Sequence, residues 1–425
     1  MLKKLIVKNF KSLHDCEIEF GKFNVVIGRN ASGKSNLVEV FKLLRKIYVE
    51  RDPFPFLEWW GYNNIVWQGM EELPITIGLV FDIEGYEVYF ETTFTGVGGG
   101  FKILREVLEM KGYFKLIKEE NTIIVEHNKN WIDKAFSNIY YDAYANCGHP
   151  NKEDVLYQKM EMNLKMDNIF SLIILCNKFS KNSYVYGLID ENKNIFTVKI
   201  FSPEDIRELQ WHILRLIETL MLFKPIHIKE LKTPKPAKKE ITLNEDGSNL
   251  ITVLYNIFLK EGRIPEDILN PLSMIFPNTR ISFQLTDDGR VLMKVFEEGV
   301  ELSPPSISDG FYKTLLILTA IYLKPSILII DEIENSLYPE ALELIFDTLK
   351  DSESQIIITT HSPIVVDLTE PKDVIFVDKK FGESRFIRIK NPEKLKEKLN
   401  ELGLSFSEGW LYGNIFDEDE GDEEE

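Results

Sequence analysis

The chain has 425 residues, 44% of them apolar, and a formal net charge of −18. That length allows two or three domains with sizeable cores, and the acidic balance excludes the broadly basic profile of a nucleic-acid-coating protein. Three cysteines, Cys16, Cys147 and Cys176, have neither zinc-site spacing nor the even number of a disulfide framework.

The opening Leu2-Lys3-Lys4 leads into strand-like alternation and not into an apolar signal segment. Residues 1–50 read as two antiparallel strands, a buried strand at Phe23-Asn24-Val25-Val26-Ile27, and a helix. The buried side of that helix is Leu37, Val38, Val40, Phe41, Leu43 and Leu44. Between strand and helix lies GRNASGKS, Gly28 to Ser35, which fits the pattern G-x-x-x-x-G-K-[ST] without mismatch. Successive backbone N–H groups of a Gly-rich loop, with the helix N-terminus, form an anion cradle. Lys34 is expected to reach the β- and γ-phosphates of a nucleoside triphosphate, and Ser35 to hold Mg²⁺.

Residues 73–127 alternate, Ile75, Ile77, Leu79 and Phe81 and then Tyr86, Val88 and Phe90, and predict an antiparallel sheet. Residues 128–200 are rich in Asn, Lys and Tyr and show few clear periods. Ser202-Pro203-Glu204-Asp205 is a helix start, with an N-cap Ser, Pro at the first position and acids in the first turn. About 20 residues of helical spacing follow, roughly 30 Å, too few for the heptads of a coiled-coil tether. Lys229, Lys232, Lys235, Lys238 and Lys239 then cluster around Pro234 and Pro236. They read as a solvated linker or as a local basic patch for nucleic acid. Residues 279–299 predict a hairpin that turns at Asp287-Asp288-Gly289.

Three late segments carry chemistry. Ser308-Asp309-Gly310 opens an apolar helix from Thr314 to Leu323. It reads as an ordinary N-cap, or as a second phosphate-binding helix end that serves the nucleotide of another subunit. Ile327-Leu328-Ile329-Ile330 is an apolar strand ending in Asp331-Glu332. Buried on both faces, it suits the centre of a parallel sheet. Asp331 would bind Mg²⁺ beside Ser35, and Glu332 would orient or deprotonate water. A similar strand, Gln355 to Thr360, ends at His361-Ser362-Pro363, where the imidazole can reach a γ-phosphate. Residues 373–390 supply late strands. The stretch 315–330 is broken by Lys324-Pro325, so no membrane span is expected. Eight carboxylates fill Asp417 to Glu425, a tail expected to be disordered.

In this order the P-loop, the Ser308-Asp309-Gly310 segment, the Asp331-Glu332 strand and Thr359-Thr360-His361-Ser362-Pro363 resemble the ABC-type ATPase heads of the RecF, SMC and OLD-like group. The opening Leu2 to Leu13 and Leu243-Asn244-Glu245-Asp246-Gly247-Ser248-Asn249-Leu250 share the resemblance, which covers roughly 1–95 and 240–415. It implies an α/β P-loop fold with a mixed central sheet, an antiparallel β subdomain and a helical lateral region. The implied division is 1–127, 128–275 (mostly helical), 276–415 and the tail 416–425. It also implies that Gly28, Arg29, Asn30, Ala31, Ser32, Gly33, Lys34, Ser35 and Asn36 cradle ATP. By the same resemblance Asp331 holds the metal with Ser35, Glu332 is the catalytic base and His361 senses the γ-phosphate. Ser308, Asp309 and Gly310 then contact the nucleotide of the opposite copy in a head-to-tail homodimer. Gln68 is the candidate link between Mg²⁺ and the lateral region, or else a surface amide. Lys11 and Ser12 are candidates to approach the nucleotide.

The sequence departs from the group in ISDGF for the signature, Ile333 where Pro is common, and Tyr338 where His or Asp is common. Ala31 replaces a commoner Gly, which requires that this residue avoid positive φ. The resemblance implies a cytoplasmic ATPase switch. It would act on DNA or on a separately encoded effector such as a nuclease, in phage defence or DNA repair. A non-catalytic, ATP-stabilised scaffold is the alternative. The roughly 35 residues that follow the late strands of 373–390 are too few for an appended nuclease domain, so none is expected.

Overall fold

Strand periodicity differs between the two parts of this molecule, because one sheet presents alternating residues and the other is buried on both faces. The computed structural model describes residues 1–83, 85–112, 114–119, 122–127, 160–163, 184–189, 195–200, 217, 219–223 and 228–413. Most of the helix expected from Ser202, and the acidic tail, lie outside the described residues; near that helix's expected end Ile217 is helical and Met221–Phe223 is a strand. Two compact units divide the chain. The first takes Met1–Phe20, Glu39–Glu218 and Lys380–Ser384, and the second Gly21–Val38, Thr219–Lys379 and Arg385–Glu425.

The first unit holds an antiparallel sheet. Its strands are β1 (Leu2–Phe10), β2 (Leu13–Glu19), β4 (Ile75–Ile83), β5 (Tyr86–Thr95), β6 (Lys102–Met110), β7 (Phe114–Glu119), β8 (Thr122–His127) and β9 (Met160–Asn163), in the order β2–β1–β4–β5–β6–β7–β8–β9. Along β4 and β5 the expected alternation is present: Ile75, Ile77, Leu79 and Phe81, then Val88, Phe90 and Phe94, are buried. On β1, Leu2 and Leu5 both point inward despite their odd spacing, because the pairing with β4 shifts register between Leu2 and Lys4. Within 128–275 the described residues include β9 and a hairpin of β10 (Tyr184–Ile189) and β11 (Ile195–Ile200).

The second unit is built on a six-stranded sheet. Its strands are β3 (Phe23–Gly28), β12 (Met221–Phe223), β17 (Ile327–Ile330), β18 (Gln355–Thr360), β19 (Val374–Lys380) and β20 (Glu383–Arg388), in the order β12–β17–β18–β3–β19–β20. From β12 to β19 every neighbouring pair is parallel. Every residue of β3, β17 and β18 is buried, which is why these strands read as unbroken apolar runs. The helices of this unit include α1 (Lys34–Arg45), which begins here, α2 (Leu250–Glu261), α3 (Glu266–Ile275), α4 (Asp309–Tyr322) and α5 (Pro339–Asp351).

A smaller sheet in the same unit pairs β14 (Thr279–Leu285) with β15 (Arg290–Glu297), the expected hairpin, and adds β13 (Lys235–Pro236) and β16 (Val300–Leu302) to β15. The Lys-rich segment is therefore partly a strand, and Lys232 pairs with Asp309 at 2.9 Å.

Candidate functional site

Three strand ends and the starts of two helices in the second unit form the site. The loop 28–33 leaves β3 and enters α1 at Lys34. Gly28 can be nothing else: a Cβ there would lie 2.4 Å from the Val377 carbonyl oxygen and 2.8 Å from the Ser32 hydroxyl. Gly33 has φ 114°. Ala31 has φ 63°, so the expectation that it avoids positive φ is corrected. The loop turns left-handed at this exposed position, and alanine accepts a cost of about 1–2 kcal/mol for it. Arg29, Asn30 and Ser35 are exposed, Asn36 is half-buried and Ser32 is buried. The buried Lys34 ammonium donates to the carbonyls of Gly28 (2.7 Å) and Arg29 (3.0 Å).

Asp331 and Glu332 follow β17 directly. The Asp331 N–H donates to the Phe223 carbonyl of β12 at 2.8 Å. Thr359 on β18 secures both acids: its hydroxyl donates to Asp331 Oδ1 at 2.5 Å and accepts from the Glu332 N–H at 2.9 Å. Glu332 has φ 51°, a left-handed conformation that non-glycine residues keep only where their surroundings enforce it. Asn335 donates to Glu332 Oε2 at 2.6 Å and so orients the carboxylate.

At the end of β18, His361 Nδ1 lies 3.0 Å from Glu334 Oε1, which also accepts from the His361 backbone N–H at 2.9 Å. Ser308 is the N-cap of α4, its hydroxyl accepting from the Phe311 N–H at 3.1 Å. Gly310 sits close beneath the turn after Glu332, since a Cβ there would lie 3.0 Å from the Ser336 carbonyl oxygen.

A family model described as "AAA ATPase domain" matches residues 1–245. The chain belongs to the AAA ATPase domain family. A second model, "AAA domain, putative AbiEii toxin, Type IV TA system", matches residues 178–367. No curated protein matches the chain. Among solved structures it is similar to the Smc head domain with an extended coiled coil from Pyrococcus furiosus, bound to the C-terminal domain of ScpA. The identity is 15% and the TM-score 0.48, over 95% of this chain and 99% of that one. It is also similar to the SMC head domain from Thermotoga maritima, at 14% identity and TM-score 0.40, over 92% and 99%.

In this AAA ATPase domain chain the P-loop, the Asp-Glu pair and the histidine stand at the ends of neighbouring parallel strands. The donor set suits a magnesium nucleotide. The loop N–H groups and the Lys34 ammonium are donors of the kind a phosphate takes, while the hydroxyl of Ser35 and the carboxylate of Asp331 are oxygen ligands of the kind Mg²⁺ takes. Among the described residues no group of three His, Cys, Asp or Glu could hold a metal alone. No described helix is long and apolar enough to cross a membrane.

Burial pushes the Lys34 ammonium below its ordinary range, and Asp331, Glu332 and Glu334 oppose the shift. Two residues of this site escaped the sequence reading. Lys313 is buried one turn into α4, donates to the Glu332 carbonyl at 3.1 Å, and is pushed down to about 8 by burial against the opposing pull of Glu334, Glu332 and Asp331. Its signal was present, since Lys313 is the sole charged residue from Phe311 to Leu323. The second is Glu334, whose signal was a third carboxylate within four residues.

Gln68, Lys11 and Ser12 belong to the first unit. Gln68 is exposed in a tight turn with φ 50°. The Lys11 ammonium pairs with the Glu39 carboxylate, and the Ser12 and Ser384 hydroxyls share a hydrogen bond of 2.6 Å.

Proposed function

We propose that this AAA ATPase is a hydrolytic switch in which two copies close head-to-tail over two ATP molecules. Glu332 is the general base. Its carboxylate, held by Asn335 at 2.6 Å, takes the proton of the attacking water. Lys34 neutralises the β- and γ-phosphates, and His361 contacts the γ-phosphate from the neighbouring strand. Ser35 and Asp331 would hold a Mg²⁺ ion, which would supply neutralisation of phosphate charge. The observation that carries the reading is the left-handed backbone of Glu332, secured by Thr359 and Lys313. A nucleotide-stabilised scaffold needs a cradle, not a strained and oriented base.

Ser308, Asp309 and the half-buried Gly310 lie at the exposed start of α4. They serve the nucleotide of the opposite copy, and Lys313 joins that helix to Glu332. Closing and opening of the pair acts on DNA or on a separately encoded effector such as a nuclease, in the cytoplasm. The description of the second family model, which names a toxin–antitoxin system, favours a defence role over general DNA repair. The test is Ser308→Arg. Turnover is expected to fall to background while equilibrium ATP binding stays within about threefold, because binding at the P-loop uses one copy and hydrolysis uses two. Retained turnover would contradict the dimeric site.

A further inference from the structure

A single carboxylate, that of Glu334, joins the ends of two neighbouring strands. It stands three residues beyond Asp331 on the turn after β17, and its side chain is 13% exposed. Oε1 accepts from the His361 backbone N–H at 2.9 Å and lies 3.0 Å from His361 Nδ1. Oε2 accepts from the Thr360 hydroxyl at 2.9 Å. A nearly buried carboxylate cannot stay without donors, and here its donors come from the end of β18.

We infer that Glu334 is the positioning residue of His361, fixing which ring nitrogen carries the proton and which one meets the phosphate. The ring partner decides the tautomer. A carboxylate on Nδ1 demands a proton there, which leaves Nε2 for the ligand. Carboxylate–histidine pairs in other sites hold an imidazole in one orientation by the same physics. The turn that carries Glu334 also carries Ser336, whose carbonyl lies against Gly310 at the start of α4. One turn, Glu334 to Ser336, therefore touches both the histidine and the signature helix. The inference rests on the reading of His361 as the γ-phosphate contact.

The experiment uses the full chain labelled with ¹⁵N-histidine, His361 being assigned by its loss in His361→Ala. At a pH where the ring is neutral, His361 is expected as the Nδ1–H tautomer, opposite to the form favoured in water. Glu334→Ala should convert it to Nε2–H, whereas Glu334→Gln, whose amide oxygen still accepts, should retain Nδ1–H. An Nε2–H ring in the unaltered protein would overturn the inference, and this measurement needs no variant of Glu334 to fold.

Turnover of Mg-ATP separates the inference from the reading beneath it. His361→Ala is expected to lose about 100-fold in kcat, and Glu334→Ala about tenfold with KM little changed. The double variant should be no worse than His361→Ala, since the two residues act as one unit. Independent, multiplying losses would overturn the positioning role while leaving the function of His361 intact. Full turnover in His361→Ala would sink the phosphate contact itself.

Discussion

At the scale of single residues, buried charge sets the character of this site. Lys313 places an ammonium among apolar neighbours of α4 and spends it on one carbonyl, that of Glu332. Burial lowers its folded value to about 8, below the ordinary lysine range. The sign follows from proton counting. Below about pH 8 the amine is charged in both folded and unfolded chains, and the desolvation cost is fully present. Between about 8 and the ordinary lysine value the unfolded chain holds more protons, so folding stability rises with pH. The unfolding free energy of the native protein minus that of Lys313→Met should therefore climb across this window, by on the order of 3 kcal/mol. Denaturant titrations of both proteins at pH 7.5, 9 and 10.5 measure it, and a flat difference would contradict the buried cation.

The placement of the P-loop, Asp331, Glu332 and His361 at strand ends was legible because their motifs are local: a strand, a fixed spacing and a polar end. Glu334 and Lys313 were not, because their meaning lies in contacts between β17, β18 and α4. The three elements are spread over residues 309 to 360, well beyond the reach of a local period. Ala31 misled for a different reason. A left-handed conformation can be imposed on alanine by the closed geometry of the loop, and residue identity alone argues against it.

At the scale of elements, burial on both faces explains what could be read and what could not. β17 has four residues, all buried, and lies between β12 and β18, so its Ile run has no polar phase. The same run fixes where Asp331 and Glu332 emerge. Ile329→Ala, at a position with no exposed surface, should cost about 2–5 kcal/mol of stability through lost burial and the cavity left behind. Urea unfolding gives the value. A cost under 1 kcal/mol would mean that the strand end is held by its polar contacts and not by packing.

The hairpin of β14 and β15 was equally legible, since its turn residues and alternation lie within twenty residues. The two-residue strand Lys235–Pro236 was not, because it is too short for any period and exists only through its pairing with β15. The inward placement of both Leu2 and Leu5 likewise depends on a register shift against a partner strand some seventy residues away.

At the scale of the whole molecule, each compact unit is assembled from three separated stretches of chain. Periodicity describes neighbours in sequence and carries no information about which distant stretches join. The antiparallel sheet and the P-loop sheet could each be anticipated from pattern, while the recruitment of 380–384 to the first unit could not.

The central claim is that Glu332 is a hydrolytic base in a site completed by a second copy. The most direct measurement is the solution mass of Glu332→Gln by light scattering, with and without Mg-ATP. Removing the base leaves the cradle of Gly28 to Ser35 intact and stops the step that reopens the pair. Mg-ATP is expected to convert monomer to dimer, or to compact a dimer already present. A mass and shape that ignore ATP, in a protein that still binds it, would contradict the paired site.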